Sequence, residues 1–231
     1  MFVHGAVVSR ALWAPQLSRL RDRYRCITVD LPGHGVLTDR RFSIEAASEV
    51  VHQSIREAAD GRAVVVGLSL GGYTAMALAA RHPSEVRGLV LAGASLDPTG
   101  LARPAFALYG WLLGILPERL ARRFVARVLL RRHDHETAAR IAEGFQLRRG
   151  GAAVRSLGGT SFRGLLRRYG GPVLVINGDL DLAMRLGERR FVRGIPGLTV
   201  RRLRGATHVS NVARPDEFSE AVATFERGLP A

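Results

Sequence analysis

A serine, an acid and a histidine each follow a short apolar run of this sequence, and together these side chains could carry out nucleophilic hydrolysis. In chain order they are Ser69 in VVVGLSLGG, Asp181 in VLVINGDLD and His208 in LTVRRLRGATHVSN. They lie far apart in the chain. Only a fold that brings the ends of several apolar runs together could assemble them.

Ser69 stands where an apolar run meets a helix-forming stretch, between Gly67 and Gly71. A sharp turn from strand to helix pushes its apex residue out of the sheet, and the residues two positions away then have almost no room for side chains. The N–H groups at the start of the helix from Leu70 lack partners and could stabilise a developing oxyanion. The pattern predicts a serine presented as a nucleophile, and the alternative is an ordinary helix N-cap.

The elements that must position these residues alternate between short β-branched runs and longer helical patterns. The predicted strands are CITVD, AVVVG, VRGLVLAG, GPVLVING and LTVRRL, and the predicted helices span 43–59, 70–81, a short segment near Leu186, and 215–227. This alternation indicates an α/β fold with a mostly parallel, doubly wound sheet that is covered on both faces. Ligands of such sheets lie beyond the carboxyl ends of the strands, which is where Ser69, Asp181 and His208 are expected.

The section 97–170 interrupts this rhythm, because it contains amphipathic helical segments and Gly-rich breaks but no convincing strand. We therefore predict a core of residues 1–96 and 171–231, with a helical cap insertion of residues 97–170 over the sheet edge. Only Met1 to Val3 precede His4, so the first strand is predicted to be a stub of about 10 Å. Either the chain starts upstream or the fold tolerates an open edge.

Five sequence motifs follow one another outside the predicted cap. They are HGAVVSRALW, DLPGHG, GLSLG, NGDLD and GATHVSNVARPDEF. In this order they resemble the oxyanion loop, the loop after the next strand, the nucleophile elbow, the acid loop and the catalytic-histidine loop of the α/β-hydrolase family. The resemblance is to its small capped branch of esterases, lactonases and cofactor-free haloperoxidase-like proteins.

The resemblance implies a role for five residues. Ser69 would be the nucleophile, His208 the general base and acid, and Asp181 the carboxylate that orients the imidazole and stabilises its charge. The backbone N–H groups of Ala6 and Leu70 would bind the oxyanion. No metal or organic cofactor is implied, because the protein itself supplies the nucleophile, the base and the oxyanion donors.

Two other acids compete with Asp181 for the histidine. Asp179 is its neighbour in GDLD, where the family pattern places the acid three residues after the glycine and so selects Asp181. Asp97 follows the preceding strand and could reach the same imidazole. His4 is expected to shape the oxyanion loop by hydrogen bonding, while His34 is interpreted as a loop residue.

The apolar stretch AFALYGWLLGIL in the predicted cap is expected to face inward and to form an acyl or ring pocket. Phe106, Tyr109 and Trp111 are its candidate lining residues, with plain core packing as the alternative. The arginines of the next segment, 119–131, recur at helical spacing and are assigned to a solvated helix face rather than to a surface that attracts membranes or anions.

The composition narrows the class of protein. The chain has 231 residues and a formal net charge of +14, and all of its basic residues are arginine. These arginines are scattered without a nucleic-acid-reading motif, so nucleic acid is not an expected partner. No apolar run reaches the length of a membrane span, and the start does not resemble a secretory signal, so the expected compartment is cytoplasmic. The single cysteine, Cys26, is interpreted as a small buried hydrophobic residue.

These observations together predict a hydrolase of carboxylic esters, lactones or thioesters that acts on a small-molecule substrate through an acyl-enzyme. Serine at the elbow argues against halide displacement and epoxide opening, which relatives perform with aspartate. A ligand receptor or inactive relative that keeps the same three residues is one alternative. Carbon–carbon bond hydrolysis or a haloperoxidase-type formation of peracid is another. Neither the oligomeric state nor the acyl-chain length follows from the sequence.

Overall fold

The sheet follows the predicted α/β plan. In the computed structural model, which describes residues 1–131 and 133–230, six parallel strands form one sheet in the order β2-β1-β3-β4-β5-β6. The strands are β1 (Phe2–Val3), β2 (Thr28–Val29), β3 (Ala63–Leu68), β4 (Val86–Ala92), β5 (Val173–Gly178) and β6 (Leu198–Leu203). The strand order reverses at β1, so a crevice opens between the carboxyl ends of β1 and β3.

Helices cover both faces of this sheet. They are α1 (Ala14–Leu20), α2 (Ile44–Ala58), α3 (Leu70–Arg81), α4 (Ala102–Ile115), α5 (Glu118–Leu129), α6 (His135–Glu143), α7 (Leu147–Ser156), α8 (Phe162–Tyr169), α9 (Leu182–Val192), α10 (Ser210–Ala213) and α11 (Pro215–Arg227). Successive residues of β3 point to opposite faces. Val65 joins the buried cluster that includes residues of α2, α3 and α8, and Val66 joins the cluster that includes residues of α1 and α11.

Every predicted strand and helix is present, with most bounds within two residues of those observed, and two elements differ clearly in length. The CITVD run forms only the two-residue strand β2, because it lies at the sheet edge and pairs with just the two residues of β1. The predicted short helix near Leu186 is α9, which runs for 11 residues. The helix predicted from 43 begins after Ser43, whose hydroxyl accepts a hydrogen bond from Ala46 N at 3.1 Å and so caps α2.

The section between β4 and β5 contains α4 to α8, and it has no strand among its described residues. The last of these helices, α8, lies within the predicted cap of residues 97–170 but packs on α3, where the rings of Tyr73 and Phe162 are 4.7 Å apart. It therefore belongs to the layer that covers the sheet. The division of the chain into core and cap stays a prediction.

The prediction that AFALYGWLLGIL faces inward is wrong for most of its side chains. Only Gly110 and Leu113 of α4 are buried, whereas Trp111 and Ile115 are more than half exposed. The reason is a close contact with α7, since a Cβ on Gly110 would lie 2.5 Å from the carbonyl oxygen of Gly151. This close contact at Gly110 buries one side of α4, and most of the large side chains on its other sides are exposed. Within the described residues, no helix is both long enough and apolar enough to cross a bilayer.

Candidate active site

The turn between β3 and α3 presents Ser69. The backbone of Ser69 has φ +50° and ψ −113°, a conformation that side-chain-bearing residues rarely adopt. The turn is held by hydrogen bonds from Ser69 N to Ala92 O at 2.7 Å and from Gly72 N to Ser69 O at 2.8 Å. The Ser69 side chain makes no capping hydrogen bond to α3, so the observed geometry is not that of an ordinary N-cap.

Glycines on both sides allow this turn to pack against β1. A Cβ on Gly67 would lie 2.3 Å from the carbonyl oxygen of Gly71, and a Cβ on Gly71 would lie 2.1 Å from the carbonyl oxygen of Val3. Both distances are far below van der Waals contact. The sequence argument for missing side chains at these two positions therefore has a direct steric cause, and the position of Ser69 is tied to the end of β1.

His208 is oriented by a buried carboxylate. Its Nδ1 lies 2.7 Å from Asp181 Oδ2, and the Asp181 side chain is only 6% exposed. Because a carboxylate can only accept a hydrogen bond, Nδ1 carries the proton and Nε2 keeps a free lone pair. The other carboxylate oxygen of Asp181 accepts a hydrogen bond from Met184 N at 3.4 Å in the first turn of α9. The helix N-terminus stabilises the negative charge there.

The two competing acids have other partners. Asp179 Oδ1 accepts a hydrogen bond from Gly205 N at 2.7 Å, which ties the loop after β5 to the loop after β6. Asp97 accepts hydrogen bonds from Ser161 Oγ at 2.9 Å and from Arg163 N at 3.0 Å, at the start of α8. Of the three acids considered from the sequence, the structure therefore brings Asp181 to the imidazole.

The candidate oxyanion donors belong to two segments next to Ser69. Leu70 N belongs to the first turn of α3, where N–H groups have no helical partner. Ala6 follows Gly5 in the loop after β1, and a Cβ on Gly5 would lie only 3.7 Å from Ser69 Cβ. The loop that carries Ala6 therefore packs directly on the serine turn.

Two buried histidines hold the Ala6 loop in place. His4 Nε2 accepts a hydrogen bond from Leu31 N at 3.0 Å, and its Nδ1 donates to the carbonyl of Gly5 at 2.8 Å, in line with the expected shaping role. Burial, followed by the neighbouring His34, lowers the pKa of His4 to about 3, so the ring is neutral. His34 Nε2 donates to the carbonyl of Ala6, and burial lowers the pKa of His34 as well.

This contact of His34 was missed from the sequence, where the residue was interpreted as an ordinary loop histidine. The available signal was its position in DLPGHG, directly after β2 and at the same edge of the sheet as Ser69. A histidine within a glycine-rich loop at that edge can reach a neighbouring loop carbonyl, although the sequence alone does not identify which one. In the structure the ring is fully buried and lies 5.1 Å from the ring of His4.

One cavity of about 500 Å³ contains Ala6, Ser69 and His208 in its lining. The structure thus brings the serine and the histidine to a common space. Most of the remaining wall is apolar, and part of it comes from α5, α6 and the segment after α6. These side chains include Phe124, Val125, Val128, Leu129, Ile141 and Phe145. Such a space suits an apolar group attached to the atom that Ser69 would attack.

The three candidate lining residues on α4 lie in different places. Tyr109 lines the cavity. Phe106 packs edge-on against Tyr73, with the ring centroids 6.0 Å apart, and Trp111 is 53% exposed; neither is among the residues that form the cavity wall. More of the apolar wall comes from α5, with four lining residues, than from α4, with one.

His133 is a polar group of the cavity that the sequence analysis left unassigned. It lines the cavity, and its Nε2 is buried without a hydrogen-bond partner in the part of the chain that the structure describes. A buried ring nitrogen without a partner is costly, so it provides a place where a bound molecule gains a hydrogen bond. The residues around His133 in the sequence are charged and rich in arginine, so the local pattern did not indicate that His133 lines a cavity.

Comparison with known proteins places these features in a family. The model of the alpha/beta hydrolase family matches residues 1–221. A pimeloyl-[acyl-carrier protein] methyl ester esterase of Aromatoleum aromaticum is 30% identical, over 99% of this chain and 98% of its own length. The protein of the same name from Neisseria meningitidis serogroup C is 31% identical, over 98% of this chain and 93% of its own length.

Solved structures share the fold. A thermophilic esterase from Thermogutta terrifontis superimposes with a TM-score of 0.76 at 23% identity, covering 98% of this chain and 88% of that one. A putative non-heme bromoperoxidase from Mycobacterium tuberculosis gives a TM-score of 0.78 at 22% identity, covering 100% of this chain and 92% of that one. At these identities the likeness concerns the fold alone.

Proposed function

The chain belongs to the alpha/beta hydrolase family, and from that premise we propose that it hydrolyses carboxylic esters through an acyl-enzyme formed on Ser69. Two relatives over nearly the whole chain are named as methyl ester esterases. The observation that carries the proposal is the shared cavity: Ser69 and His208 both line it, and Asp181 holds the His208 ring through a hydrogen bond of 2.7 Å.

In the first half of the reaction, His208 Nε2 takes the proton of Ser69 Oγ while the oxygen attacks the ester carbon. The carbonyl oxygen becomes an oxyanion, and the N–H groups of Leu70 and Ala6 donate hydrogen bonds to it. The imidazolium then gives its proton to the departing alkoxide, and the alcohol leaves. Asp181 keeps the proton on Nδ1 and stabilises the positive charge of the ring throughout.

In the second half, water takes the place of the alcohol. His208 removes a proton from the water, which attacks the acyl carbon, and the bond to Ser69 Oγ breaks as the serine regains its proton. The carboxylic acid leaves and the site returns to its starting state. Lactones and thioesters require the same steps with a different leaving group, so they belong to the proposed substrate range.

The cavity favours an ester with an apolar acyl chain. Its wall is mostly aliphatic and aromatic, and the buried Nε2 of His133 offers a polar contact within it. The relatives are named for a methyl ester of a pimeloyl group carried on acyl-carrier protein. We therefore propose methyl esters of medium-length acyl chains as the first substrates to test, with a second polar group near the far end of the chain.

Labelling with a fluorophosphonate probe, followed by peptide mapping, tests the nucleophile. We expect one label at Ser69, and we expect Ser69→Ala to lose both the label and the hydrolysis of short p-nitrophenyl esters. Ser84→Ala changes an exposed serine at the other end of α3 and serves as the matched control with full activity. A label at any other residue, or none, contradicts the mechanism.

Product analysis with ester, lactone and diketone substrates tests the reaction class. Acid and alcohol products from esters, with no cleavage of diketones, are expected. Tight binding of esters without turnover would instead favour a receptor. Cleavage of a carbon–carbon bond, or peracid formation with hydrogen peroxide, would favour the other reactions that the same three residues can serve.

A further inference from the structure

A second cluster of chemically active side chains lies at the end of α3 that is remote from Ser69. Glu49 and His52 lie on α2, and His82 directly follows the last residue of α3. One ligand atom from each of the three residues lies within 4.8 Å of the others. Glu49 and His52 are three positions apart on one helix, so they share a face. The cluster is therefore built from α2 and the residue that ends α3.

His52 is oriented by a carboxylate. Its Nδ1 lies 2.7 Å from Glu85 Oε2, and both side chains are largely buried. Because the carboxylate accepts, Nδ1 donates its proton, and the free lone pair of the ring is on Nε2. A histidine whose one nitrogen donates to a carboxylate while the other remains free has the arrangement that metal-binding histidines use.

His82 completes the cluster by stacking on His52. The two ring centroids are 4.0 Å apart and the planes differ by 14°. Because the two ring planes are nearly parallel, the His82 ring must rotate about its side-chain bonds before nitrogens of both rings can point at one ion. The nearby guanidinium of Arg81 is engaged elsewhere, since it donates to Ser48 Oγ at 2.9 Å and lies 3.6 Å from Glu45. Its positive charge is therefore partly compensated beside the cluster.

We propose that Glu49, His52 and His82 bind one divalent transition-metal ion of the zinc type, with Glu85 as the residue that positions His52. Two imidazole nitrogens and one carboxylate oxygen suit Zn²⁺, and water would complete a tetrahedral set. Zinc–ligand distances of about 2.0 to 2.2 Å place the ligand atoms about 3.4 Å apart, so ligand atoms that now lie within 4.8 Å of one another must approach by up to about 1.4 Å. Rotations of the exposed Glu49 and the half-buried His82 side chains toward His52 would provide this approach.

Such an ion would join α2 to the end of α3. The helix of 12 residues separates it from Ser69 by about 18 Å, at 1.5 Å per residue, so the ion takes no part in the attack on an ester. Its effect is on stability, because a ligand that binds only the folded chain raises the melting temperature as its concentration rises. The site is independent of the proposed esterase activity.

The test is calorimetric titration of the chelator-treated, tag-free protein with zinc chloride. We expect one equivalent to bind, with a rise in melting temperature. His52→Ala and His82→Ala should each lose the saturable binding, and Glu85→Gln should weaken it by about 10- to 100-fold. His135→Ala removes an exposed histidine on α6 and should bind like the unchanged protein.

Co²⁺ in place of Zn²⁺ provides a second readout through its visible d–d absorption. Glu49→Gln changes an exposed side chain and should fold normally, so a weaker and altered Co²⁺ spectrum in that variant reports directly on the carboxylate ligand. Circular dichroism in chelator checks the fold of each variant. Failure of the unchanged protein to bind one equivalent, or undiminished binding in folded His52→Ala and His82→Ala, would overturn the proposal.

Discussion

The turn around Ser69 and the helices over it, α4 to α7, differ in how tightly their side chains are held. At the turn, an added Cβ on Gly67 or Gly71 would lie 2.1 to 2.3 Å from a backbone oxygen. On α4 and α5, by contrast, Tyr109 and Phe124, which line the cavity, are 53% and 69% exposed. The groups proposed to react are thus fixed by backbone packing, whereas the groups proposed to contact the acyl chain have room to move. We therefore expect substitutions at the turn to change the reaction rate and the stability of the fold. Substitutions in the helices should instead change the selectivity for the acyl chain.

The largest effect is expected from Asp181→Asn. An amide in place of the carboxylate no longer selects the His208 tautomer with a proton on Nδ1, and kcat should fall by about 10⁴-fold, or about 5 kcal/mol in the barrier. Steady-state hydrolysis of a p-nitrophenyl ester measures it. Asp179→Asn is the matched control, because its amide oxygen can still accept from Gly205 N, and its activity should stay within a few-fold. Equal losses in both variants would contradict the assignment.

The second effect concerns stability and compares one glycine from each region. Gly71→Ala places a methyl group against Val3 O, and should lower the free energy of unfolding by about 4 kcal/mol. Gly114→Ala in α4 meets only the end of the Arg155 side chain at 3.8 Å. It should raise the stability by about 0.5 to 1 kcal/mol through helix propensity. Urea unfolding measures the change in the free energy of unfolding for both variants. A small decrease for Gly71→Ala would show that the turn can shift to accommodate the added methyl group.

The third prediction concerns pH. The pKa of His4 is about 3 in the folded chain and 6.5 when unperturbed, so below pH 6.5 the unfolded chain binds a proton that the folded chain does not. The stability that this neutral ring provides is present above pH 6.5 and is lost as the pH falls toward 3, by about 2 kcal/mol at pH 5.

Urea unfolding at pH 7 and pH 5 checks this expectation. His4→Gln should show a smaller loss between the two pH values than the unchanged protein, whereas His135→Ala should keep the full loss because that side chain is exposed. An unchanged pH dependence in His4→Gln would mean that His4 is not the group responsible.

The smallest effect is expected in the helices. Phe124 lines the cavity, so Phe124→Ala should lower kcat/KM for long-chain esters about 5-fold, or about 1 kcal/mol, while leaving acetyl esters nearly unchanged. Trp111→Ala should change neither by as much as 2-fold, since Trp111 is not among the residues of the cavity wall. A rate series over acyl-chain length measures both variants, and a larger effect from Trp111 would reverse the assigned orientation of α4.

Local patterns predicted much of the fold. Periodicity identified α3, β6 and α11 with their observed bounds, and Gly67 and Gly71 identified the turn that presents Ser69. Local sequence patterns gave wrong predictions where packing against a neighbouring strand or helix decides the structure. The edge position of β2 shortened it to two residues, and the contact of α4 with α7 at Gly110 turned Trp111 outward.

The sequence by itself determined the class of fold, the turn at Ser69 and the candidate residues that follow the strands, because strand and helix periods, glycine sterics and residue chemistry are local properties. Tertiary structure alone decided that His34 donates a hydrogen bond to the Ala6 carbonyl, that α5 supplies part of the cavity wall, and that His82 stacks on His52. These contacts join residues remote in the chain, and their geometry depends on how whole elements pack.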